Sequence, residues 1–322
     1  MKSIFKMPGG DVRWGWKAAI LIVGTLLFGI VLNGVLTIVL VAVYSSQGLA
    51  PDLAMEQASN ASTGFMAQVV LSLLQLGFMV WLVWRLVEKV EKQKFEWSGL
   101  GLINRTRSKH ISLGIAVAVA LSLLTIARGF LAGTLKYIGN GFELFTFPQV
   151  VITLFLATLI SFASGFGEEV AFRGYLQSRL AQRYNPTTAI VIVAVLFALL
   201  HPFGNAIHPL LYLATAVLVG ILFGTIFTRT GSLWMGIALH VVWNYLQMAI
   251  IAIRNSADER FFGAPLFVFE ITSSTIQMFI EFVVIFIGVL FILLALKPAE
   301  QNMMEKKQSE LHQGEFKARR FP

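Results

Sequence analysis

Three short clusters of polar residues interrupt otherwise apolar stretches of this chain. They are Gly167-Glu168-Glu169-Val170-Ala171-Phe172-Arg173-Gly174, Phe197-Ala198-Leu199-Leu200-His201 and His240-Val241-Val242-Trp243-Asn244. Charged groups inside a membrane cost several kcal/mol, so they are functional hypotheses by default. Each cluster holds a pair at the i,i+4 spacing that shares one helix face: Glu169 with Arg173, Phe197 with His201, His240 with Asn244. Glu169 and Arg173 can neutralise each other within one helix. Glu168 is then left as the acid available for general-base work. Glu168, His201 and His240 also form a carboxylate-plus-two-imidazole set of the kind that ligates catalytic zinc. The tight His-Glu-x-x-His signature is missing, so zinc ligands would have to come from three helices.

The elements that must carry these residues are membrane-spanning helices. The 322 residues are 57% hydrophobic and 13% charged, with a mean hydropathy of +0.75. Soluble domains lie near about 45–50% apolar and about 25% charged. Lipid as solvent explains the excess. Cysteine is absent, which excludes a disulfide framework, a thiolate metal site and a cysteine nucleophile. The formal charge of +8 is not read as a nucleic-acid footprint. Lys and Arg fall in short connections between apolar runs, which is the positive-inside pattern. No nucleic-acid partner is expected; the lipid bilayer is.

Eight apolar runs have about the length that crosses a bilayer: Ala18–Tyr44, Phe65–Val87, Ile111–Ala132, Gln149–Gly167, Thr187–His201, Leu210–Phe227, Ser232–Ile253 and Thr275–Leu296. The fold class expected is all-α, a polytopic membrane protein of about eight transmembrane helices. The connection Ser45–Gly64 has no Lys or Arg, whereas the alternate connections and the tail after Leu296 are basic. Both termini are therefore expected in the cytoplasm. Residues 1–148 would hold the first three spans and 149–253 a catalytic core. An outer loop and the last span would occupy 254–296, and a polar cytoplasmic tail 297–322.

Depth supports one site. With a hairpin turn at Asn185-Pro186, Glu169 and His201 both lie about 23–24 Å from the tip at about 1.5 Å per residue. His240 falls about 12 Å into its span by the same measure. The three clusters then reach a similar depth, open to the cytoplasmic side. Pro202-Phe203-Gly204-Asn205-Ala206 cannot be regular helix and must be buried in protein or line a water-filled cavity. Taken singly, the clusters have bland readings. Glu168 and Glu169 would be a solvated helix end, His201 a loop residue and Asn244 interhelical glue. Their matched depths favour the joint reading. Arg85, Arg128 and Glu281, near span ends, are read as unremarkable.

In that order on successive spans, the clusters resemble the three motifs of the CAAX-protease and bacteriocin-processing (CPBP) family. These are intramembrane glutamic endopeptidases related to the type II CAAX prenyl protease. The stretch Thr230-Gly231-Ser232-Leu233-Trp234 is similar as well, and the likeness covers about Ser161–Gln247. It implies that Glu168 activates the attacking water, with His201 helping to position it. His240 and Asn244 would stabilise the oxyanion, while Glu169 and Arg173 hold the site in order. The substrate would be a peptide or protein and no cofactor would be needed; a zinc ion on Glu168, His201 and His240 is the alternative. The expected location is a bacterial plasma membrane, as a multi-pass protein. Two other function classes stand beside this one. A non-proteolytic partner of the same family would confer bacteriocin immunity or regulate another membrane protein. A proton-coupled transporter would use the buried Glu and His as a relay, but no inverted repeat supports it.

Overall fold

The computed structural model describes residues 13–103, 106–201, 208–255 and 263–296. The expected polar tail and the expected non-helical segment Pro202–Ala206 lie outside the described residues. Each of the eight apolar runs is a helix, and the chain is a multi-pass membrane protein. Seven stretches are long and apolar enough to cross a bilayer: Trp14–Ser46, Phe65–Val90, Arg107–Leu131, Phe147–Arg183, Pro209–Thr230, Leu233–Ile250 and Thr275–Ala295. The eighth, Pro186–Leu200, has 15 residues. At about 1.5 Å per residue it reaches about 22 Å, short of the ~30 Å hydrocarbon core.

α1 (Trp14–Ser46) is apolar on all sides and buries only Ala18 and Leu21, so most of its surface is left to lipid. It touches α3 (Phe65–Arg85) where Phe28 stacks on Phe78, ring centroids 4.1 Å apart. The connection between them, free of Lys and Arg, is not a bare loop. It contains α2 (Pro51–Ser62), started by a proline at the first helical position and an aspartate in the first turn. Ala54, Ala58 and Ser62 are its buried stripe at i,i+4,i+8, small enough to let the helix lie against α1. α3 continues as a π-helical turn over Leu86–Val90.

After α4 (Arg107–Leu131), strand β1 (Leu135–Asn140) and the single turn α5 (Gly141–Leu144) lead into α6 (Phe147–Glu168). The helix then widens to a π conformation over Glu169–Gln177 and returns to α7 (Ser178–Arg183). The turn sits where the sequence places it. The Asn185 side chain accepts from the Thr188 N–H at 2.9 Å and Pro186 opens α8 (Pro186–Leu200). α9 (Pro209–Thr230) and α10 (Leu233–Tyr245) meet at Gly231, whose φ of +62° only glycine adopts without strain. Ser232 then caps α10. α10 is buried from Leu233 to His240 except at Trp234, packed by α4, α6 and α9.

The span expected over Ser232–Ile253 stops being helical at Ile250. Ile251–Asn255 is instead strand β2, and β3 (Phe267–Ile271) lies in what was read as outer loop, before α11 (Ser274–Ala295). The sheet order is β1-β3-β2, with β1–β3 antiparallel and β2–β3 parallel. β-branched and aromatic residues such as Ile251, Ile253, Val268 and Phe269 suit strands. By chain connectivity the sheet caps the end opposite the Asn185 turn.

At the turn end, Glu91 gathers three elements. It accepts from Lys17 Nζ at 3.0 Å, from the Tyr175 hydroxyl at 3.1 Å and from Arg179 Nε at 2.9 Å. The carboxylate is buried while both cations keep some solvent contact. Glu91→Ala therefore lowers stability by about 1–3 kcal/mol, below the ~3–5 kcal/mol of a fully buried pair. Thermal unfolding in detergent measures this, and an unchanged midpoint would refute the clamp.

Candidate active site

The paired acids fall where α6 changes from α to π, a backbone feature concentrated at functional sites. The sequence suggests that Glu168–Tyr184 is an amphipathic helix with an exposed basic end. Residues Glu169–Gln177 are instead buried throughout, because α8, α9 and α10 pack around them. Arg173 is among the largest fully buried side chains. Its Nη1 donates to Glu169 Oε1 at 2.9 Å and its Nη2 to the Gly220 carbonyl at 3.4 Å. The guanidinium lies between two rings, 4.5 Å from the centroid of Phe197 and 5.0 Å from that of Phe223. Cation–π contacts of this kind gain strength when desolvated.

Glu169 has a second partner. His240 Nδ1 lies 3.3 Å from the same Oε1, so it donates to the carboxylate, and Phe223 stacks on the imidazole at 4.9 Å. This fixes the ring and aims Nε2 at Glu168, whose Oε2 is 3.8 Å away. Gly165 lets the two helices close here: a Cβ on it would meet the Val241 Cγ2 at 2.8 Å and the Val241 amide nitrogen at 3.0 Å.

His201 ends α8 in an extended conformation, the one favoured before a proline. Its Nδ1 is 2.8 Å from the Phe197 carbonyl. A carbonyl only accepts, so Nδ1 carries the proton and Nε2 presents a lone pair. That Nε2 is 3.9 Å from Glu168 Oε2. Two imidazole nitrogens thus face one carboxylate oxygen, which has no hydrogen-bond partner among the described residues. Asn244, one turn beyond His240, donates to Ser164 Oγ at 3.1 Å and keeps a second amide proton for other use.

All six residues singled out by spacing, Glu168, Glu169, Arg173, His201, His240 and Asn244, come together. The separations bear on zinc. Bonds of about 2.0–2.1 Å to a tetrahedral ion put ligand atoms about 3.3 Å apart, closer than the 3.8 and 3.9 Å seen from Glu168 Oε2. Among the described residues, no group of three or more His, Cys, Asp or Glu is placed to hold a metal ion.

His201, His240 and Asn244 line a cavity of about 540 Å³ together with Tyr212, Thr215 and Glu281. Glu168 faces elsewhere. It lines recesses of about 310 and 430 Å³ toward α1 and α3, with the polar side chains Asn33, Gln68, Ser72 and Gln75 among their walls. Four contributors escaped the sequence reading. Ser164 sits at i−4 from Glu168, a visible hint. Phe223 carries no signal that separates it from any core aromatic. Tyr212 is one of several polar residues near a span end. Glu281, taken as a span-end residue, is the only ionisable group of α11 and faces the cavity.

Residues 148–246 match the family model described as Type II CAAX prenyl endopeptidase Rce1-like. The matched stretch runs from the start of α6 through α10 and contains all six residues. No curated protein matches the chain.

Proposed function

We propose that the chain is an intramembrane endopeptidase that cleaves a peptide or protein by a metal-free glutamate mechanism. The observation that carries this reading is the convergence of His201 Nε2 and His240 Nε2 on the unpartnered Oε2 of Glu168. The family match over residues 148–246 supports the endopeptidase class. A water held between Glu168 and His201 gives its proton to Glu168 as its oxygen attacks the scissile carbonyl. The oxyanion that forms accepts from His240 Nε2–H and from the free amide proton of Asn244. Collapse breaks the C–N bond, and Glu168 returns the proton to the leaving amine.

One condition follows from the hydrogen bonds. Since His240 Nδ1 donates to Glu169, Nε2 can donate to an oxyanion only when the ring is an imidazolium. The polar recesses toward α1 and α3 give water a route to Glu168. Lys and Arg crowd the Asn185 end of the described helices, including Lys89, Lys92, Lys109, Arg183 and Arg229. This supports a cytoplasmic hairpin end, both termini on that side, and substrate entry from the cytoplasm. A bacterial plasma membrane remains the location we assign.

The test is cleavage of quenched fluorescent peptides, prenylated and plain, by the protein purified in detergent. Wild type retains full activity in a zinc chelator, while His240→Ala loses about 10²–10³ in kcat, the usual effect of removing one oxyanion donor. Loss of activity on chelation, restored by zinc, would overturn the metal-free mechanism. Failure to cleave any peptide, with His240→Ala still complementing a deletion phenotype in cells, would replace catalysis by a binding role.

A further inference from the structure

Glu281 belongs to α11 and lines the cavity next to the candidate site. It is the only ionisable residue of α11, a helix long and apolar enough to cross the membrane. It lines the same cavity of about 540 Å³ as His201, His240 and Asn244. Among the described residues it has no ion pair and no hydrogen bond: every ion pair elsewhere in the helices joins other groups. The other ionisable residues lining the cavity are Tyr212, His201 and His240, and no lysine or arginine is among them. A carboxylate in a membrane-spanning helix without a lysine or arginine beside it costs several kcal/mol and is retained where it meets something. The rest of that wall is mostly apolar, with Met278 and Ile285 on the same helix.

We infer that Glu281 is a specificity-determining residue, binding a lysine or arginine side chain of the substrate beside the scissile bond. The inference rests on the endopeptidase reading and adds the charge of the peptide that the site accepts. A cavity of this volume is within the about 300–1,000 Å³ range of ligand sites, ample for one long side chain in addition to the backbone at the oxyanion donors. The methylene stem of lysine or arginine suits the apolar wall and the charged head reaches the carboxylate. An acidic residue at the same position would be repelled, which makes Glu281 a device for rejection as well as attraction.

The experiment compares quenched peptides carrying lysine, norleucine or glutamate at each position flanking the cleaved bond. Wild type, Glu281→Gln and Glu281→Lys are run in the same detergent after their thermal midpoints are shown to agree. At one position wild type prefers lysine to norleucine by at least about 30-fold in kcat/KM, the lower end for a desolvated charge pair. Glu281→Gln removes that preference by slowing the lysine peptide and sparing the norleucine one, and Glu281→Lys turns it toward glutamate. A wild-type enzyme indifferent to lysine at every position, or a preference that survives Glu281→Gln, overturns the inference. A second arm measures binding of labelled lysine and norleucine peptides to the Glu168→Ala protein by fluorescence anisotropy. If no peptide is cleaved but lysine binding is tighter and depends on Glu281, the endopeptidase reading fails and the cation site stands. Equal affinities in that arm sink the cation site too.

Discussion

Glu168→Gln leaves a folded protein that binds peptide with unchanged KM and cleaves it about 10²–10⁴ times more slowly, the contribution of a positioned general base. The substitution keeps the shape of the side chain and removes only its ability to take a proton. Nothing structural is lost with it, because Glu168 Oε2 has no hydrogen-bond partner among the described residues and Arg173 is already paired with Glu169. The imidazole of His201 cannot simply take over. Its Nδ1 is committed to the Phe197 carbonyl and, among the described residues, no carboxylate sits behind it. Single-turnover kinetics on the purified protein, with thermal unfolding as the control, measure the loss. A kcat within threefold of wild type would remove Glu168 from the role of base.

The second large effect is on stability. Arg173→Met strands the Glu169 carboxylate in a fully buried place, and breaking such a pair from one side costs about 3–5 kcal/mol. The guanidinium also fills the space between Phe197 and Phe223. Methionine occupies part of that volume, so the loss is chiefly the uncompensated charge. Adding Glu169→Leu removes the stranded carboxylate, and the double variant regains most of the lost stability. It does not regain activity, because His240 Nδ1 has then lost the acceptor that orients the ring. Unfolding midpoints of the four proteins in the cycle, beside their peptidase rates, separate the two roles. If Arg173→Met alone unfolds at the wild-type temperature, the buried pair is not what secures this end of the helix bundle.

Much of the site was legible because helical spacing is geometric. Glu169–Arg173, Phe197–His201 and His240–Asn244 are each one turn apart, and in the folded chain each pair does face the same way. The apolar runs located the helices for the same reason, since hydropathy reports burial in lipid directly. What was not legible depends on packing between distant segments. Ile251, Ala252 and Ile253 are as apolar as the helix before them, so their hydropathy continues a span where the backbone has turned to strand. The widening at Glu169 has no composition of its own. Phe223 becomes part of the site only because α9 crosses where it stacks on His240. Glu281 was visible as a lone acid in an apolar run, but which wall it faces is decided by how α11 lies against α9 and α4.

The brevity of α8 has a consequence for what can be cut. Its 15 residues carry His201 about 22 Å from the Asn185 turn and no farther. A helix that stops there makes the protein a ruler. On the proposed endopeptidase reading, the bond broken is set first by how many residues separate it from the point where the substrate leaves the membrane surface, and only then by the side chains around it. Inserting two residues between that point and the cleavage site should shift the cut by two positions along the substrate. Thickening the bilayer should do the same without any change of sequence.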